Sequence, residues 1–123
     1  MINGKPMIHR VYDQCAKGFE GEIIIATDSI KIQDYCSKNN LPCELTSESC
    51  MTGTDRVAEI SNKYEVDYYI NVQGDEPIFN PDDLTIFINE IRSQKNNYSI
   101  FAGYTSIKSD DEFFSSQIPK MVF

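Results

Sequence analysis

Apolar positions along the chain change period several times, and each change marks an element. Met7, Ile8, Val11, Tyr12 and Cys15 recur at three- and four-residue spacing behind Pro6, which predicts a helix running to about Gly18. The run Glu22-Ile23-Ile24-Ile25-Ala26 is short, apolar and β-branched, and reads as a strand buried on both faces. Ser29 is placed to cap a helix that reaches about Lys38, where Asn39-Asn40 and Pro42 stop it. A second strand is predicted from Cys43 to Thr46, followed by a polar loop to Gly53. Thr54 then caps a helix with Val57, Ala58, Ile60 and Tyr64 as its apolar stripe.

A third strand, Asp67 to Gln73, runs directly into the turn Gly74-Asp75-Glu76-Pro77. Asn80-Pro81-Asp82-Asp83 supplies a cap, a proline for the first helical turn and carboxylates at the positive end of the helix dipole. Leu84, Phe87, Ile88 and Ile91 continue that helix. Ser99 to Ile107 reads as a fourth strand, Asp110 to Phe114 as a short helical turn, and Lys120-Met121-Val122-Phe123 as the opening of another strand. Strands alternating with helices require crossover connections and predict a three-layer α/β fold, its mostly parallel sheet flanked by helices. A chain of 123 residues can bury one modest core, so a single domain is expected over residues 1–123. The chain ends on apolar residues inside an element and starts on a helix, so the sheet is expected to be incomplete.

The charge balance removes several functions from consideration. A net charge of -8 and a pI near 4.5 are wrong for a nucleic-acid or anionic-membrane surface, and the lysines are scattered. No apolar run is long enough to span a membrane and no signal-peptide pattern opens the chain, so a cytoplasmic location is expected. Cys15, Cys36, Cys43 and Cys50 form no Cys-x-x-Cys pair and fall on different predicted elements, which favours reduced thiols over a zinc site. His9, early in the first helix, is expected to be structural.

Candidate chemistry gathers where strands end and helices begin. The carboxyl ends of parallel strands are where α/β proteins bind ligands, and a carboxylate there can hold Mg²⁺ against phosphate oxygens. Asp75, just past the third strand, is the first candidate. Thr52-Gly53-Thr54-Asp55-Arg56 opens a helix, where unpaired N–H groups suit anionic oxygens and glycine admits a close approach. Asp28, after Ala26-Thr27, is expected to order its turn by accepting backbone N–H groups.

These segments come in the order Gly4-Lys5-Pro6-Met7-Ile8, Ile23-Ile24-Ile25-Ala26-Thr27-Asp28, Thr52-Gly53-Thr54-Asp55-Arg56-Val57-Ala58-Glu59 and Val72-Gln73-Gly74-Asp75-Glu76-Pro77. In that order and at those spacings the chain resembles the front half of the 3-deoxy-manno-octulosonate cytidylyltransferase family, the CMP-KDO synthetases. The resemblance covers nearly the whole chain. It is most specific in Thr-Gly-Thr-Asp-Arg and Val-Gln-Gly-Asp-Glu-Pro.

The resemblance implies a Rossmann-like fold of the nucleotide-diphospho-sugar transferase kind. It also implies an activity that transfers CMP from CTP to 3-deoxy-manno-octulosonate, releasing pyrophosphate for lipopolysaccharide biosynthesis. It assigns Asp75 to Mg²⁺ and catalysis, Gln73 to the nucleotide or sugar, and Gly53, Thr54 and Arg56 to the cytidine nucleotide. Lys5 matches the later of two Gly-Lys-Pro copies in the family, the one that opens a helix, and not the phosphate-gripping copy. Lys120 aligns loosely with a lysine near the relatives' active site, although Gln117-Ile118-Pro119 departs from their Asn-Pro-Asn. A leading strand with its basic phosphate loop, a second Mg²⁺-binding aspartate, most of the sugar pocket and the homodimer surface have no counterpart here. The chain alone is therefore expected to be inactive. A synthetase for a sialic-acid-like nine-carbon acid and a non-catalytic remnant are the alternative readings.

Overall fold

The structure is a computed structural model describing residues 1–94 and 97–116. The chain divides into two compact units, Met1–Ile86 and Phe87–Phe123. The first carries all the candidate site residues.

In that unit α1 (Met7–Gly18) opens behind Pro6, whose carbonyl accepts from the His9 and Arg10 N–H groups. Its predicted stripe is the buried one: Val11 and Cys15 are buried, Ile8 and Tyr12 half-buried, and Met7 alone lies outside it. β1 (Ile25–Thr27) and β2 (Cys43–Leu45) pair in parallel, with Ile25 opposite Cys43 and Thr27 opposite Leu45. The crossover between them is α2 (Ile30–Lys38), which packs on both strands, as a parallel pair requires. Cys36 of α2 is fully buried and Ile25 nearly so, which puts the core between helix and strands. α3 (Gly53–Ser61) lies against β1 and contributes Ile60 to the core.

His9 earns its structural role by joining helices. Its Nδ1 is 2.7 Å from the Tyr35 hydroxyl on α2, and its Nε2 lies 3.4 Å from Asp13, which Lys5 also reaches at 2.7 Å. Gly18 closes α1 where a Cβ would stand 2.4 Å from the Pro81 carbonyl oxygen, so only glycine permits this approach to α4 (Pro81–Gln94). Thr85 donates to the Gly18 carbonyl at 2.9 Å across the same junction. The Asn80 cap is present, its side chain accepting from the Asp82 N–H at 3.2 Å.

In the second unit Ile88 and Ile91 of α4 are buried, as the period predicts. The short helix α5 (Asp110–Phe114) is capped by Ser109, which accepts from the Glu112 N–H.

Several expectations are corrected, beginning with the first strand, which runs over Ile25–Thr27 and not from Glu22. Asp67 to Gln73 and Ser99 to Ile107 are not strands, and the sheet among the described residues consists of β1 and β2. Among the described residues neither segment is paired into a ladder, and a strand exists only through one. The first still shows strand periodicity: Tyr68, Ile70 and Val72 are half-buried while Tyr69, Asn71 and Gln73 are exposed. The cap of α3 is Thr52, two residues before the expected Thr54, and Tyr64 lies beyond the end of that helix. Ser29 precedes α2 without a side-chain capping bond. The strand expected from Lys120 lies outside the described residues.

Thr52 and Asp55 form a complete capping box. Thr52 Oγ1 accepts from the Asp55 N–H at 3.1 Å, and Asp55 Oδ2 accepts from the Thr52 N–H at 2.8 Å. Thr52→Ala is expected to lower stability by about 1 kcal/mol, read as a shift in the denaturant midpoint at unchanged slope. The hydrogen bonds from Thr52 hold the Asp55 carboxyl below its ordinary value. A depressed carboxyl pKa contributes stability that is present above the unfolded value and lost as pH falls through the folded one. Protection of the α3 amides from hydrogen exchange is therefore expected to fall on acidification through and below the ordinary aspartate range. In Asp55→Asn that pH dependence is expected to be weaker.

Candidate nucleotide site

The four sequence segments converge. α3 begins beside the stretch leading into the Asp75 turn: a Cβ on Gly53 would sit 3.1 Å from Gln73 Oε1 and 3.4 Å from its Nε2. The Gln73 amide therefore rests on the Gly53 backbone, and a side chain at 53 would displace it. One residue on, Asn71 Nδ2 is 3.4 Å from Thr54 Oγ1. The turn after Gln73 is seated on α1, since a Cβ on Gly74 would meet Ile8 Cδ1 at 3.1 Å.

Arg56 brings in the end of β1. Its Nη2 donates to Asp28 Oδ2 at 2.8 Å, and its Nη1 to Thr46 Oγ1, just past β2, at 2.9 Å. Longer contacts reach the carbonyls of Ser47 and Cys50 at 3.5 and 3.4 Å. The fork of a guanidinium lets one side chain serve two strand ends and a loop at once. Both terminal nitrogens of Arg56 are thus engaged within the chain. Asp28 serves as its partner, and the turn after β1 is ordered instead by Thr27, whose hydroxyl accepts the Ser29 N–H at 3.1 Å.

The electrostatics favour an anion at the mouth of α3. The capping box occupies the Asp55 N–H, so the Gly53 and Thr54 N–H groups have no intrahelical acceptor and point out of the helix start. Thr54, Gln73 and Asp75 are exposed and Gly53 half-exposed, which leaves them open to a ligand. Asp75 makes no side-chain hydrogen bond or ion pair among the described residues. No cluster of three metal-binding side chains exists among those residues either. Magnesium commonly takes one or two carboxylates with phosphate and water making up its shell, so a single exposed Asp75 fits an ion that arrives with a polyphosphate. Lys5 is committed to Asp13 at the foot of α1, and Lys120 lies outside the described residues.

Sequence reasoning brought Gly53, Thr54, Gln73 and Asp75 into one neighbourhood but missed the residues that hold it together. Thr52 was legible from the spacing of Thr52 and Asp55, which is a capping-box signature. Asp28 and Thr46 as partners of Arg56, and Asn71 beside Thr54, carry no local signal.

Known proteins resemble the chain along most of its length. Residues 1–121 match the family described as cytidylyltransferase. The chain belongs to that cytidylyltransferase family. Among curated relatives it is 49% identical over 80 residues to a 3-deoxy-manno-octulosonate cytidylyltransferase of Francisella tularensis subsp. novicida, covering 63% of this chain and 32% of the relative. It is 36% identical over 124 aligned positions to the Geotalea daltonii protein of the same name, covering 98% of this chain and 48% of the relative. The chain thus spans between a third and a half of these relatives.

A solved CMP:2-keto-3-deoxy-manno-octonic acid synthetase complexed with CTP superimposes with a TM-score of 0.73 at 34% identity, covering 76% of this chain and 39% of that one. The chain therefore has the α/β fold with a parallel sheet of this structural class, in part. No helix among its described residues is long and apolar enough to cross a membrane.

Gly53→Ala tests the packing of the α3 start on Gln73. The Gln73 side chain is flexible enough to yield, so the melting temperature is expected to change little. The chemical shifts of the Gln73 side-chain amide are expected to move, and unchanged shifts would contradict the contact.

Proposed function

We propose that the protein carrying this chain transfers CMP from CTP to 3-deoxy-manno-octulosonate, forming CMP-KDO and pyrophosphate for lipopolysaccharide biosynthesis, and that residues 52–75 form part of its nucleotide site. The observation that carries the reading is the packing of the Gln73 amide on Gly53 at the open N-terminus of α3, in a chain 34% identical to a CTP-bound synthetase. Residues far apart in sequence meet there, with glycine backbone for close approach, outward N–H groups and an amide, and the Asp75 carboxylate follows Gln73 by two residues.

Each residue takes a role from its chemistry. The Gly53 and Thr54 N–H groups and the Thr54 hydroxyl donate to nucleotide oxygens, and Gln73 offers both a donor and an acceptor. Asp75 would hold Mg²⁺ through a carboxylate oxygen, and the ion would supply positive charge against the triphosphate. Arg56, engaged with Asp28, contributes by holding the helix start in place, and any contact it makes with nucleotide is shared with that pair. Nucleotidyl transfer leans on placement and charge neutralisation, which suits a site made of backbone donors and one carboxylate.

The cytoplasm is the expected compartment, in keeping with four free cysteines. A homodimer is the assembly expected of the whole protein.

Calorimetric titration of Mg²⁺·CTP into the chain is expected to show saturable binding that ATP does not match. In Asp75→Ala, binding in the presence of Mg²⁺ is expected to weaken about tenfold or more, the order expected from losing one charge-assisted ligand. Equal affinity for ATP, or no effect of Asp75→Ala, would contradict the assignment.

A further inference from the structure

The segment between β2 and α3 is held from both sides by one face of that helix. Arg56 reaches its hydroxyl and carbonyl groups, as described above. Glu59, three residues further along α3, takes its donors: the Ser47 N–H lies 3.0 and 3.2 Å from the two carboxylate oxygens, and Cys50 Sγ lies 3.2 Å from one of them. Between those two anchors the chain makes a tight turn, with the Cys50 N–H donating to the Ser47 carbonyl at 3.2 Å and the Ser49 N–H to the Ser47 hydroxyl at 3.1 Å. The next two N–H groups, of Met51 and Thr52, go to Asp55 at 3.1 and 2.8 Å. Two carboxylates of α3 therefore lace down the chain leading into its own first turn.

Glu59 makes no ion pair among the described residues, so its carboxylate is used for this segment. Burial, and then the Glu59 carboxylate, push the Cys50 thiol above its ordinary value, as expected of a thiol donating to an anion.

We propose that Glu59 is a positioning residue for the nucleotide segment: by fastening Ser47–Cys50 to α3 it fixes Thr52-Gly53-Thr54 at the angle where Gly53 meets the Gln73 amide. Neither Ser47 nor Cys50 is among the residues placed on the nucleotide, and Glu59 acts through them. The proposal rests on the nucleotide reading of Gly53 and Thr54. Its structural half is measured separately.

The test compares the unaltered chain with Glu59→Ala, Glu59→Gln and the exposed control Glu65→Ala. Three readouts are used: hydrogen exchange resolved by peptide, the rate of Cys50 alkylation by iodoacetamide, and Mg²⁺·CTP affinity. In Glu59→Ala, exchange over residues 47–54 and Cys50 alkylation are each expected to rise about tenfold, as for loss of a hydrogen bond to a charged group, with other peptides unchanged. CTP affinity is expected to fall by a similar factor, and Glu65→Ala is expected to match the unaltered chain in all three.

Unchanged exchange at 47–54, or faster exchange there with undiminished CTP affinity, overturns the proposal. If Glu59→Ala loosens the whole chain, Glu59→Gln decides, since it keeps the side-chain shape and one acceptor oxygen. An increase confined to 47–54 then supports the positioning role, and any other pattern overturns it. Failure of the unaltered chain to bind CTP would instead overturn the nucleotide reading, with exchange and alkylation still deciding whether Glu59 holds the loop.

Discussion

The guanidinium of Arg56 is the contact on which the arrangement of the site depends. It joins the residue after β1, the residue after β2 and the loop entering α3, through Asp28, Thr46 and two carbonyls. As an ion pair alone it would count for little, because Asp28 is 37% exposed at its side chain and such pairs are screened by solvent. Its weight comes from geometry. Two strand ends, already joined by the Thr46 N–H donating to the Thr27 carbonyl at 2.8 Å, and a helix start share one planar donor. Lysine in that place would offer a point charge and could not span the same set.

From that constraint the rest of the neighbourhood follows in order. Parallel pairing of β1 and β2 brings both carboxyl ends to the same edge, where Asp28 and Thr46 lie. Arg56 draws α3 to that edge, and the capping box leaves the Gly53 and Thr54 N–H groups facing outward. Gln73 then closes over Gly53, and Gly74, seated on Ile8 of α1, turns the chain so that Asp75 is exposed. Ligands in open α/β sheets bind beyond the carboxyl ends of the strands, and here that rule falls on residues whose chemistry suits a nucleotide.

What could be read from the sequence divides along the range of the interactions. The helices were legible, because period, proline placement and caps such as Asn80 are local. β1 was legible in part, since the run of isoleucines marks it but the ladder starts only at Ile25 and continues to Thr27, and β2 falls within the strand expected from Cys43 to Thr46. The 67–73 segment was misread as a strand because its residues carry the alternation while its ladder partner is a nonlocal matter on which the alternation is silent. The cap of α3 at Thr52 has a local signal in the Thr52 and Asp55 spacing, which the expectation of Thr54 passes over. Arg56 stands 28 residues from Asp28 and 10 from Thr46, and no pattern along the chain announces such a partner. Gly53 and Gln73, singled out by motif resemblance, lie against each other in the fold, a nonlocal arrangement that periodicity does not encode.

The central claim is that Gly53, Thr54, Gln73 and Asp75 form one nucleotide surface held by Arg56. The most direct measurement is a titration of the ¹⁵N-labelled chain with Mg²⁺·CTP, followed residue by residue through amide chemical shifts. The account predicts saturable shifts concentrated at residues 52–56 and 73–75, with little movement in α2. Shifts centred elsewhere, or a folded chain whose spectrum does not respond to CTP, would contradict it.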